Sequence, residues 1–212
     1  MIEMQEARLL MAGRAGVFGI LSEMMKTEPK LDSVENLCKY MEDLFESLEF
    51  VGKKDETVEA YEKLSGWHSV ALSINNNSFI EGKLAHEFAL LFLLEKESIS
   101  RVFQNTDGTD SFYLKYNYEF SGDKGEIGTM LDFMAELSEK GASLNEAKDL
   151  KELVSIQKEF ESRFIESSLS DFCQTVYNKA PDYGIFQFII IILHGFINID
   201  SAVLDALEKN LL

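Results

Sequence analysis

Two cysteines and two prolines in 212 residues are too few for the devices that hold small secreted or loop-rich folds together. A disulfide framework needs several cysteines at recurring spacings, whereas Cys38 and Cys173 stand singly in apolar helical surroundings, Leu37-Cys38 and Phe172-Cys173. A cysteine so placed behaves as a small hydrophobe. Histidine is equally scarce, and the three, His68, His86 and His194, are scattered. His86-Glu87 opens like a helical zinc-protease motif, but Leu90 stands where the second histidine belongs, and one imidazole cannot hold the metal. Asn105, Asp107 and Gly108 resemble the middle of a calcium loop, yet its first and last ligand positions fall on Phe103 and Leu114. There is no nucleophile-elbow serine, phosphate loop or paired-cysteine motif. These absences name no catalytic residue, no metal and no cofactor, so the expectation is a binding protein and not an enzyme.

Positive charge is also in short supply. Twenty Lys and Arg face 37 Asp and Glu, for a formal net charge of -17. Phosphate backbones and anionic membrane surfaces are repelled by such a molecule, which argues against nucleic acid as a partner. A positively charged peptide segment is the partner it would attract. The start Met-Ile-Glu-Met-Gln-Glu-Ala-Arg lacks the basic stretch and apolar run of a secretory signal, so the expected location is the cytoplasm. The most apolar stretch, 185–193, is shorter than the ~20 residues that span a bilayer and contains Gln187. It reads as a buried core element, and no membrane insertion is expected.

What the chain has in quantity is apolar residues at helical spacing. Val34, Leu37, Cys38, Met41, Leu44, Phe45 and Leu48 form one face of a helix that Asp32 can cap. Before it, 6–26 reads as a helix ended by Pro29, with Gly13, Gly16 and Gly19 on one side for close packing. Residues 55–74 read as a third helix. After the turn-forming Asn75-Asn76-Asn77, Ser78 can cap a fourth over 79–95, whose Phe88 to Leu94 run is apolar almost all round and is expected at the centre of the core. Apolar and other residues then alternate over 112–120, and 104–122 reads as a long aromatic loop. A helix over 126–139 should end at Lys140-Gly141, with Ser143 and Glu146 forming a capping box for the next. That next run, 144–178, is long enough to predict a kink or break near Phe164, and Pro181 stops it. Helices over 183–197 and 201–212 complete the chain. The predicted fold is all-α: a single-domain multi-helix bundle, 1–212, with halves 1–103 and 123–212 joined by the loop 104–122.

Arg14-Ala15-Gly16-Val17-Phe18-Gly19-Ile20-Leu21, followed by Glu28-Pro29, resembles the opening helix of the TorD-like chaperones that mature molybdenum-containing oxidoreductases, including the DmsD and NarJ types. Three further stretches agree in order: 87–92 (Glu-Phe-Ala-Leu-Leu-Phe), 126–134 (Glu-Ile-Gly-Thr-Met-Leu-Asp-Phe-Met) and 164–172 (Phe-Ile-Glu-Ser-Ser-Leu-Ser-Asp-Phe). The chain departs from the family's pattern too. The family's Asp-His pair falls on Gly125-Glu126, its following glutamate on Met130, and its frequent histidine and tryptophan on Ser168 and Phe172. The family's proline-rich segment is replaced here by the aromatic loop. The chain is therefore similar to a divergent member.

The resemblance implies a cytoplasmic chaperone that binds the basic, partly apolar N-terminal segment of an apo-oxidoreductase of the molybdopterin-dependent type. That segment is a twin-arginine signal peptide or a remnant of one, held until the cofactor is inserted. Acidic groups would attract the arginines while aromatic residues grip the apolar stretch. Glu87, Phe92, Tyr113, Tyr116, Glu126 and Asp132, on or beside the motif segments and the loop, are expected to line the groove. The chaperone is expected as a monomer or, hinged at the long loop, a domain-swapped homodimer. The alternative is a helical scaffold or regulatory subunit of an unrelated complex.

Overall fold

A computed structural model describes residues 2–47, 56–74, 76–95, 99, 108–120, 126–182 and 184–211. Among them the chain is all-α. Helix α1 spans Met4–Lys26, α2 Leu31–Ser47, α3 Glu56–Ser73 and α4 Asn77–Phe88. A wider π turn, Ala89–Leu94, continues α4. Then follow α5, Thr109–Lys115, α6, Ile127–Ser143, and α7, Ala147–Phe160. A second π turn, Glu161–Glu166, joins α7 to α8, Ser167–Lys179, and α9 runs from Ile185 to Asn210.

One hydrophobic cluster holds these helices together, and it interleaves the two halves. The buried stripe of α1, Ala7, Met11, Val17, Phe18 and Leu21, packs along α6. Helix α3 packs along α9, and Phe18 of α1 meets Phe196 of α9 edge to face at 4.9 Å. Within the α1 stripe, Arg14 is also buried and grips Asp200 of α9 with both prongs of its guanidinium, Nη2 lying 2.8 Å from Oδ2.

Several local expectations are corrected. Asp32 sits inside the first turn of α2, which begins at Leu31. Asn76, and not Ser78, caps α4: its side-chain oxygen accepts the Phe79 N–H at 3.2 Å. Of the three glycines of α1 only Gly16 is in close packing, against the Tyr40 ring, while Gly13 and Gly19 face open space. Gly141 lies inside α6 and leaves room for Met11, Leu150 and Leu153. Ser143 is the last residue of α6 and bonds back to the Lys140 carbonyl, so no capping box forms with Glu146. Where a kink or break was expected near Phe164, the structure has the second π turn, through which the helix continues without interruption.

Two corrections are larger. The Phe88–Leu94 run is not the centre of the core: Phe88 and Leu91 are buried, but Leu93 and Leu94 are 61% and 79% exposed. Among the described residues, its buried side faces Phe186 of α9. Nor is 109–115 a loop. It forms α5, whose Tyr113 is fully buried. Asn117, at φ 54°, closes it: the Tyr118 N–H reaches back to the Tyr113 carbonyl at 2.9 Å, the Asn117 N–H to Leu114 at 3.3 Å, and the Tyr113 and Tyr118 rings pack at 5.1 Å. This is the Schellman termination, which asparagine accommodates because it tolerates the left-handed region. Positions 104–107 and 121–122 of the expected loop lie outside the described residues, as do Asn75 and the side chain of Phe45.

The C-terminal pair of expected helices is one helix of 26 residues. The polar step at Asp200-Ser201 does not interrupt it because Asp200 turns inward to Arg14. By length and composition α9 would suffice to cross a membrane, but Ile189, Ile190, Ile192 and Leu193 are all buried against neighbouring helices. Close approach along the α3–α9 contact requires Gly195, where a Cβ would collide with the Thr57 side chain. Gly195→Ala is expected to destabilise the fold by about 1–3 kcal/mol through overpacking, measurable as a lower urea midpoint.

Candidate functional site

Five of the six sequence-expected residues fall into two places, and Glu126 joins neither. Tyr113, Tyr116 and Asp132 come together around Phe133. Tyr113 and Tyr116 pack on the Phe133 ring at 5.0 and 6.3 Å, and the Tyr118 hydroxyl donates to Asp132 Oδ2 at 2.9 Å. Lys26 Nζ lies 2.8 Å from the same oxygen. Tyr118 and Lys26 thus share Asp132 Oδ2, and the full burial of Tyr113 makes it a core residue, correcting its expected place in a groove. Burial raises the Tyr113 hydroxyl above the usual tyrosine range, as it does for Tyr118. Glu126 is the half-buried N-cap residue of α6.

Glu87 and Phe92 are elsewhere, at the junction of α4 with the start of α9. Phe92 is half-buried and packs on Phe88 and Phe186, both at 5.2 Å. Glu87 Oε1 accepts the Phe186 N–H at 2.9 Å and Oε2 the Ile185 N–H at 3.2 Å. A carboxylate so placed satisfies two orphan donors of α9 and meets the positive end of its dipole. Burial nonetheless holds the Glu87 carboxyl above the ordinary glutamate range, against the lowering effect of those two hydrogen bonds. Gly184 makes the approach possible, since a Cβ there would strike Glu87 Oε1.

Glu87 lies in the wall of an open cleft of about 610 Å³. Trp67 of α3, Phe79 and Leu84 of α4 and Ile185 of α9 supply its apolar lining. Phe79 is 51% exposed, and Lys83 Nζ stands 4.8 Å from its ring centre. His86 and Asp182, both exposed, complete the polar rim. Gly82 also lines the cleft, and a Cβ at Gly82 would meet nothing within 4 Å. A glycine in an exposed helix interior costs roughly 1 kcal/mol relative to alanine, and the bare backbone it leaves is a surface that another chain can approach closely.

Sequence reasoning missed Trp67, Phe79 and Gly82. Gly82 was the available signal: a glycine inside a helical pattern, flanked by Phe79 and Lys83 at one-turn spacing. Among the described residues no group of three or more His, Cys, Asp or Glu is arranged to hold a metal ion. Comparison with protein-family models, with curated proteins and with solved structures returned no match.

Proposed function

We propose that the chain binds a basic, partly apolar peptide segment, as its motif resemblance to TorD-like chaperones suggests. The client is the N-terminal segment of an apo-oxidoreductase of the molybdopterin-dependent type, a twin-arginine signal or its remnant, held before cofactor insertion. The observation that carries this reading is the cleft at Trp67, Phe79, Leu84 and Ile185, solvent-open and apolar, on a molecule of net charge -17. Apolar side chains of the segment enter the cleft, and its arginines are drawn in by the acidic surface. Because α3, α4 and the start of α9 each contribute a wall, the cleft is built from rigid elements and costs little ordering on binding.

Titration calorimetry against a synthetic twin-arginine signal peptide, at low and moderate salt, tests the proposal. The expected result is a micromolar or tighter Kd that weakens as salt rises. Absence of binding at both salts contradicts it and favours a scaffold role.

A further inference from the structure

A second cleft opens beside the first. It has a volume of about 420 Å³ and lies between Glu59, Ala60 and Lys63 on α3, Cys173 and Tyr177 on α8, and Phe188 and Ile191 on α9. Helix periodicity fixes its relation to the Phe79 cleft. Glu59, Lys63 and Trp67 follow one another at single-turn spacing on α3, drifting by only ~40° per step. The first two line the second cleft and the third lines the first. On α9 the stripe Gly184, Gln187, Ile191, His194 does the same in the opposite direction, Gly184 in the first cleft and the other three in the second. The two helices run antiparallel, with Thr57 near the start of α3 against Gly195 of α9. The clefts therefore lie end to end along one α3–α9 seam. Glu59 and Trp67, the outermost α3 residues of the two clefts, are eight residues apart, ~12 Å along a helix axis, and Lys63 lies between them.

We propose that the two clefts form one track for an extended basic peptide that places a large apolar side chain in each, a reading that rests on the peptide-binding function above. An extended chain rises ~3.3 Å per residue, so ~12 Å is about four residues, and residues four apart in an extended chain point to the same face. Anchors at i and i+4 would both point into the track. The anchor surfaces are present: Phe79 and Tyr177 are 51% and 41% exposed, and Phe188 and Ile191 are half-buried. The charge of the occupant follows from the chain's net -17; within the clefts themselves Asp182 stands with Lys83 in the first, and Glu59 is paired with Lys63 at 2.7 Å in the second.

The test is a series of synthetic peptides of about twelve residues, each with two arginines and two phenylalanines, the separation of the phenylalanines stepped from two to eight. They are titrated into the wild type, Gly82→Trp and Ser170→Trp; Ser170 is an exposed residue lining the second cleft. Wild-type affinity should peak at a separation of four. Each tryptophan fills one cleft and should lower that peak affinity by about 10–100-fold, the worth of one buried large apolar side chain, and flatten the dependence on separation. A flat wild-type profile with Ser170→Trp unaffected and Gly82→Trp weakened overturns the two-anchor track and leaves the single-cleft function standing. A peak at eight also overturns it, since that is the spacing of a helical ligand. Failure of every peptide to bind the wild type removes the function and the track together.

Discussion

Arg14→Met is expected to lower folding stability by about 3–5 kcal/mol, the cost of breaking a buried ion pair by removing one partner. Arg14 and Asp200 are 2% and 1% exposed, and Glu161 of the second π turn, 2% exposed, stands beside the same aspartate with its Oε2 lacking a hydrogen-bond partner. Without the guanidinium, a buried carboxylate and a buried carboxyl face each other uncompensated. Methionine keeps the unbranched stem and its packing beside Phe18, whose ring centre lies 5.7 Å from Arg14 Cζ, so the loss reports charge and not volume. The double variant Arg14→Met/Asp200→Leu should recover most of the loss, because replacing both members with apolar groups also removes the burial penalty. Urea denaturation of the wild type and both variants measures this. A single-variant loss under about 1 kcal/mol would mean that Arg14 does not compensate buried charge.

The second large effect is on pH dependence. Burial, then repulsion from Asp200, and the hydrogen bond between the two groups push the Glu161 carboxyl well above the ordinary glutamate range, with Arg14 opposing. The folded protein thus holds a proton there that the unfolded chain releases near pH ~4.3. Folded-state affinity for the proton is the higher, so this stabilisation is full below the unfolded value and declines as pH rises towards the folded one. The slope is about 1.4 kcal/mol per pH unit in that window. The wild type should therefore unfold at lower urea at pH 8 than at pH 5. Glu87 and Glu136, also raised, add to the trend. Glu161→Gln stays neutral and can still donate to Asp200, so its profile should be flatter and its stability at pH 8 higher than the wild type's. Parallel profiles for the two proteins would contradict a protonated Glu161.

Most helices were legible because their apolar residues recur at three and four along a face, as Val34, Leu37 and Met41 do, all fully buried. The aromatic segment misled because its apolar residues fit two periods. Phe112 and Tyr113 also stand one helical turn before Tyr116, and Asn117 was the stop signal that decides for helix. The gap left at 198–200 closes for a related reason: polarity within an apolar run, here Asn198 and Asp200, marks either a loop or a buried partner, and only the three-dimensional position of Arg14 distinguishes them. Arg14 itself was readable as anomalous, a charge on the face of Ala7, Met11, Phe18 and Leu21. For the site, Glu87 was chosen from a motif and does line a cleft. Trp67, Phe79 and Ile185 come from three separate helices, and the packing of α3 on α9 that gathers them is not encoded in the periodicity of any one segment.

The most direct test of peptide binding at this cleft is the affinity of Gly82→Trp, beside the wild type, for one twin-arginine signal peptide, with thermal unfolding followed on both proteins. The side chain at position 82 enters open space, so the variant should unfold at or above the wild-type temperature while its affinity falls by about 10-fold or more. Equal affinity in the two proteins, with both folded, would contradict the cleft as the place where the peptide binds.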